Sequence, residues 1–199
     1  MALRANALTS LANCHVQLDI PILDTTQDAL LTRLIDSASQ QIDNYCNRQF
    51  VSASYTQYFD GNRANEIILP RSPITTISSV SIDSGRVFGT DSLLPATDFG
   101  FVGTNILRRH SGNWGTGSQI IKVVYTAGYT VIPADVEDAC ILLVECRYRL
   151  KNERILGKSS QGKAGENVSF LNDWPVEALT LLEPYRLFNY VDSNAVVQA

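Results

Sequence analysis

The sequence predicts an α+β protein: a helical bundle frame, with helices near residues 10–18, 25–48, 133–151 and 175–188, and an inserted antiparallel β module at about 51–131. Three observations carry this expectation. Leu31, Leu34, Ile35, Ala38, Ile42 and Tyr45 recur at spacings of three and four, the period of an amphipathic helix. From Phe50 to Thr130 the texture changes to short runs rich in Val, Ile, Thr and Tyr, punctuated by Asp-Gly, Ser-Gly, Gly-Thr and Pro, which is the texture of strands and turns. Finally, 199 residues with 45% hydrophobic content suffice for one domain of ordinary size carrying a sizeable insertion. The expected organisation is therefore a helical domain made of residues 1–50 and 132–199 around a β module at 51–131.

Each element has its own signal. Ser10 to Leu18 reads as a short helix, stopped near Pro21 because the residue before a proline disfavours the helical region. The second helix is capped by Asp24 or Thr25, whose side-chain oxygens accept from the first free amides. Candidate strands are Tyr55–Asp60, Glu66–Leu69, Thr76–Asp83, Asp98–Val102, Asn105–Arg109 and Gln119–Thr126, arranged as a small antiparallel sheet or sandwich, with a tight reversal at Val102–Asn105. The third helix opens at Pro133, whose missing N–H has no helical partner in a first turn. Asp135, Glu137 and Asp138 lie at its positive end, and Arg147, Arg149 and Lys151 at its negative end. Its middle, Ala139 to Val144, is apolar almost all round, so it needs a core on one side and a second cover, either a neighbouring copy or the β module. Residues 156–165 (LGKSSQGKAG) have loop composition, a strand-like NVSFL follows, and Pro175 opens a last helix through Val176, Leu179 and Leu182 whose end Pro184 disturbs.

Little in the chain assembles into chemistry. His15 and His110 stand outside any metal or nucleophile spacing. Gly157-Lys158-Ser159 copies the tail of a phosphate-binding loop, but Asn152 stands where the motif needs glycine, and a helix precedes it where a strand is required. Gly112 to Gly117 is glycine-rich yet leads into a strand, so no helix N-terminus awaits a phosphate there. Asn167-Val168-Ser169 fits a glycosylation acceptor, but no secretion signal brings it to that machinery. Cys14, Cys46, Cys140 and Cys146 form no CxxC pair and read as buried reduced thiols. No catalytic group, cofactor or metal is expected. The first residues lack the apolar core of a secretion signal, and no stretch approaches a membrane helix, so a soluble protein made in the cytoplasm and working without a membrane is expected. A net charge of −4 argues against a general nucleic-acid binder, whose affinity comes from neutralised phosphates.

Charge is unevenly placed. Residues 19–43 hold Asp19, Asp24, Asp28, Asp36 and Asp43 against Arg33, a net of −4, whereas residues 147–163 hold Arg147, Arg149, Lys151, Arg154, Lys158 and Lys163 against Glu153, a net of +5. These are two ordinary solvated faces, or they are opposite patches that meet between adjacent copies of the chain. The second reading makes Asp28, Asp36, Asp43, Arg147, Arg149, Lys151 and Arg154 candidate subunit-interface residues. A ring built from such head-to-tail contacts closes if the rotation between copies permits.

Four stretches in this order resemble the head-tail connector (adaptor) family of long-tailed bacteriophages: LLTRLIDSASQQIDNYCNRQF (30–50), PRSPITTISSVSI (70–82), VVYTAGYTVIPADVEDACILLVECRYR (123–149) and LLEPYR (181–186). The third is the most specific, joining a strand that ends in YTAGY to a helix that starts in IPADVEDA. Compact members of that family look essentially all-helical, and the β module is a feature of the longer ones. The resemblance implies a structural virion protein forming a ring, usually of twelve copies, beneath the portal protein. Such a ring extends the channel through which genomic DNA passes without specific binding, and presents a docking surface to a stopper or tail protein. It also implies portal contact through the loop 156–170 and the C-terminal segment, making Lys158, Lys163, Phe170, Tyr185, Arg186, Phe188 and Tyr190 candidate portal-contact residues. The rival readings are another virion joint, such as a stopper or tail-completion protein, and a β-rich module binding a host surface or carbohydrate through exposed aromatics such as Tyr55, Tyr58, Phe99, Phe101 and Trp114.

Overall fold

The computed structural model describes residues 2–152, 160–161, 168–169 and 174–187. The chain divides into two compact units, Met1–Arg48 with Ile132–Ala199, and Gln49–Val131.

In the first unit, α1 (Leu11–Gln17) starts at Ser10, whose Oγ accepts from Asn13 N at 3.1 Å. A single 3-10 turn, Thr25–Gln27, leads into α2 (Asp28–Cys46). Asp24 caps that turn, its carboxylate accepting from Thr26 N at 3.0 Å and Thr26 Oγ1 at 2.7 Å. Helix α2 buries Leu31, Ile35, Ala38, Ile42 and Cys46 and stops at Asn47, which takes the left-handed conformation (φ 54°) that asparagine tolerates at a helix end. After Pro133, α3 runs Ala134–Asn152 and buries Val136, Ala139, Cys140, Leu143 and Val144. Helices α1, α2 and α4 (Val176–Leu182) all pack against it. The last helix is shorter than expected. Pro184 brings no N–H to continue the α ladder, and the chain tightens into a 3-10 turn, Glu183–Tyr185. Leu187 N donates to Cys46 O at 3.0 Å, and Asn47 Nδ2 to Leu187 O at 3.0 Å, pinning this end to the close of α2. Two short strands, β7 (Ser160–Gln161) and β8 (Val168–Ser169), pair antiparallel; the rest of the expected loop at 156–170 lies outside the described residues.

The second unit holds β1 (Ala53–Asn62), β2 (Glu66–Ile68), β3 (Ile74–Ile82), β4 (Phe99–Val102), β5 (Ile106–Arg109) and β6 (Thr116–Ala127). They form two three-stranded antiparallel sheets, ordered β1-β6-β3 and β2-β5-β4. Strand β6 sits at the centre of the first sheet and alternates, with Ile121, Val123, Tyr125 and Ala127 buried on one face. These side chains join Val80, Leu69, Leu107 and Trp114 in one core. The reversal between β4 and β5 turns at Gly103 (φ 63°), as its composition predicts.

The β unit is closed at its base. Val51 and Tyr129 form an isolated bridge, Ser52 N donates to Tyr129 O at 3.1 Å, Tyr129 N donates to Phe50 O at 2.7 Å, and the Phe50 and Tyr129 rings stack at 6.0 Å. Gly128 makes this approach possible: its φ is 109°, and a Cβ there would stand 2.7 Å from Val51 O and 2.8 Å from Ser52 Cα.

Candidate functional site

The three aspartates expected at a subunit interface are occupied within their own unit. Asp28 Oδ1 lies 2.9 Å from Nε2 of His15, a ring only 2% exposed, whose Nδ1 lies 3.3 Å from Pro21 O. Asp36 accepts from Arg4 N at 3.0 Å, with Arg4 Nε at 3.8 Å. Asp43 is 5% exposed and accepts from Asn6 Nδ2 at 3.5 Å. Together they fasten the N-terminal segment to α2. The sequence shows that acids cluster here; it does not show that each already has a partner within its own unit.

The cations of α3 separate by direction. Arg147 is half-buried and donates to Ser37 Oγ at 3.2 Å and to Gln41 Oε1, bracing α3 against α2, and burial pulls its guanidinium below the ordinary arginine range. Arg149 points outward, its side chain 64% exposed, and pairs with Glu145 one turn back at 2.5 Å. Lys151 is exposed, and Arg154 lies outside the described residues. Of the portal-contact candidates, Tyr185 donates to Asp135 Oδ2 at 3.3 Å and the Arg186 guanidinium lies over the Tyr45 ring at 5.0 Å. Lys158, Lys163, Phe170, Phe188 and Tyr190 lie outside the described residues.

Two surface features escaped the sequence reading. Leu30, Arg33 and Leu34 of α2 and Arg147, Leu150 and Lys151 of α3 line a groove with an apolar floor and a cationic rim. Elsewhere on the unit, the connection Asp19–Asp24 exposes Ile22 by 66% and Leu23 by 94%. Neither had a signal in periodicity, because the groove is shared by two helices far apart in sequence and the connection is too short to have a period.

The remaining groups are quiet. Cys14 and Cys140 are pushed up to about 12 and Cys46 to about 11, in each case chiefly by burial, which holds them as thiols. In the β unit, Phe99 and Trp114 are core residues, Tyr55 is half-buried, and Tyr58 and Phe101 are exposed. Among the described residues no group of three or more His, Cys, Asp or Glu is placed to hold a metal ion, and no helix is long and apolar enough to cross a membrane.

Solved structures place this architecture. It resembles a chain in the neck of an empty gene transfer agent particle computed with C6 symmetry, with a TM-score of 0.66 and 18% identity over 96% of this chain and 95% of that one. A chain in the neck of the native particle, computed with C12 symmetry, matches with a TM-score of 0.64 at the same identity and coverage. So does a chain of the native gene transfer agent virion. No curated protein matches. The fold is thus one found in the neck of a gene transfer agent particle. The family model described as head completion protein matches residues 16–188, and the chain belongs to that family. It is a structural virion component of the head–tail connection.

Proposed function

We propose that this chain is a head-to-tail adaptor: twelve copies form a ring beneath the portal, extend the DNA channel and offer the docking surface for a stopper or tail protein. The observation that carries this reading is the family match across residues 16–188, taken with the same fold in a particle neck of C12 symmetry. The net charge of −4 is compatible with DNA sliding past, since a wall that neutralises few phosphates holds the duplex weakly. Portal contact falls to the loop 156–170 and the segment from Pro175 onward. Of the ring-contact candidates, Arg149 and Lys151 have the outward exposure that an intermolecular contact requires.

The test is to mix the purified chain with portal rings and image the product by electron microscopy. A coaxial twelve-fold collar is the expected result. A chain that ignores portal but caps an adaptor-bearing or tail-tube end belongs to another joint of the virion, and the adaptor reading then fails. The size of the free chain in solution does not decide the matter, because a portal can template assembly of a monomer.

A further inference from the structure

The connection Asp19–Asp24 is an unusual piece of surface. It presents Ile22 and Leu23, the latter 94% exposed, between two aspartates, Asp19 and Asp24. A single exposed leucine is ordinary, but adjacent ones held on a fixed turn are what contact surfaces use. The turn is fixed from several directions. Ile20 N donates to His15 O at 3.0 Å and Asp24 N to Pro21 O at 2.8 Å. The buried His15 ring lies between Pro21 O and the Asp28 carboxylate, and the Asp24 carboxylate is tied to Thr26. Such a turn loses little freedom on binding.

The groove between α2 and α3 has the opposite character: a floor of Leu30, Leu34 and Leu150 inside a rim of Arg33, Arg147 and Lys151. A convex apolar tip flanked by acids and a concave apolar floor flanked by cations match in shape and in sign. Both lie in one compact unit. They also face apart. Asp28, which holds the turn through His15, and Leu30, which lines the groove, are two positions apart on α2, about 200° around the helix. Complementary patches facing apart make a head-to-tail contact that propagates from copy to copy, whereas a two-fold contact uses one patch against itself.

We infer that the Asp19–Asp24 turn of one copy seats in the α2–α3 groove of the next, Ile22 and Leu23 on the leucine floor and Asp19 and Asp24 against the arginine and lysine rim. This rests on the ring reading and names its contact. The charge complementarity visible in the sequence is kept, but it moves from Asp28, Asp36 and Asp43 to the two aspartates flanking the turn.

The test uses the full-length chain on portal rings, in a Cys146→Ser background that removes the half-exposed native thiol. Leu23→Cys combined with Leu34→Cys is treated with a short bismaleimide cross-linker after collar assembly. A ladder of covalent multimers is expected, with each single-cysteine variant remaining monomeric on a denaturing gel. Leu23→Asp is expected to lower collar yield at least tenfold with an unchanged melting temperature, because the side chain it replaces is almost wholly in solvent. Collars of Leu23→Asp at normal yield, or well-formed collars of the double-cysteine chain that give no ladder, overturn the contact. If the unaltered chain forms no collar at all, the ring reading itself has failed, and the two failures are told apart.

Discussion

Reversing Arg147 and reversing Arg149 are equivalent operations on the sequence and different ones on the structure. Arg147→Glu removes two charge-assisted hydrogen bonds between α3 and α2, to Ser37 and Gln41, and sets a carboxylate at a half-buried position. A hydrogen bond to a charged group is worth about 1.5–3 kcal/mol net, and the two here share one side chain, so a loss of about 3 kcal/mol is expected. Arg149→Glu removes an exposed pair with Glu145, worth about 0.2–0.5 kcal/mol, and puts a negative charge at a helix C-terminus, costing about 0.3–1 kcal/mol. Its total is about 1 kcal/mol. At about 2–4 °C per kcal/mol for a chain of this size, Arg147→Glu melts roughly 10 °C below the parent and Arg149→Glu no more than about 4 °C below. Thermal circular dichroism in the helical band measures both. Equal melting points, or a lower one for Arg149→Glu, would refute the assignment of Arg147 as an internal brace. With the assignment upheld, a collar lost with Arg147→Glu follows from a loosened bundle and is not by itself a reading of the contact between copies.

Four further outcomes are expected. His15→Leu leaves Pro21 O and the Asp28 carboxylate without their partner, costing about 2–4 kcal/mol, and speeds amide exchange in residues 19–24 before the rest of the bundle. Asp83 is held below the usual carboxylate range by the backbone amides of Phe88 and Gly85 first, and then Val87. A depressed carboxylate stabilises above its ordinary pKa and ceases to as pH falls through its folded value, so the Val87 and Phe88 amides should lose protection only below about pH 4. Native alkylation at mildly alkaline pH should label Cys146 well ahead of Cys14, Cys46 and Cys140, with all four labelled after unfolding, as mass spectrometry can count. Ile35→Ala, at a fully buried position of α2, should cost about 2–5 kcal/mol in a denaturant titration.

The helices were legible because their information is local. The spacing of Leu31, Leu34, Ile35, Ala38 and Ile42 names both the element and the face it buries, while Asp24 caps the 3-10 turn that leads into α2 and Pro133 precedes α3. The overrun was at the last helix, where Val176 to Leu182 is α-helical and Pro184 forces the tighter turn that follows. The six strands were legible as runs, but their order was not. That β6 lies between β1 and β3 while β2, β5 and β4 form a sheet of their own depends on pairings such as Tyr55 with Tyr125 and Ile67 with Leu107, far apart in the chain. The same limit governed the surface. A sum of charges over residues 19–43 cannot tell Asp43, buried on α2, from Asp24 on an exposed turn. A groove whose walls are more than a hundred residues apart leaves no trace in either wall.

The clip at Phe50, Val51 and Tyr129 bears on how such a protein changes over generations. Because the two strands of the chain meet at the base of the β unit, the clip itself fixes the gap between them, whatever length of polypeptide lies beyond. Doubling the length of a closed segment adds only about 0.6 kcal/mol of closure entropy. Residues past the clip can be lengthened, trimmed or exchanged for another small fold at little energetic cost to the bundle. The frame and its insertion are free to diverge at different rates.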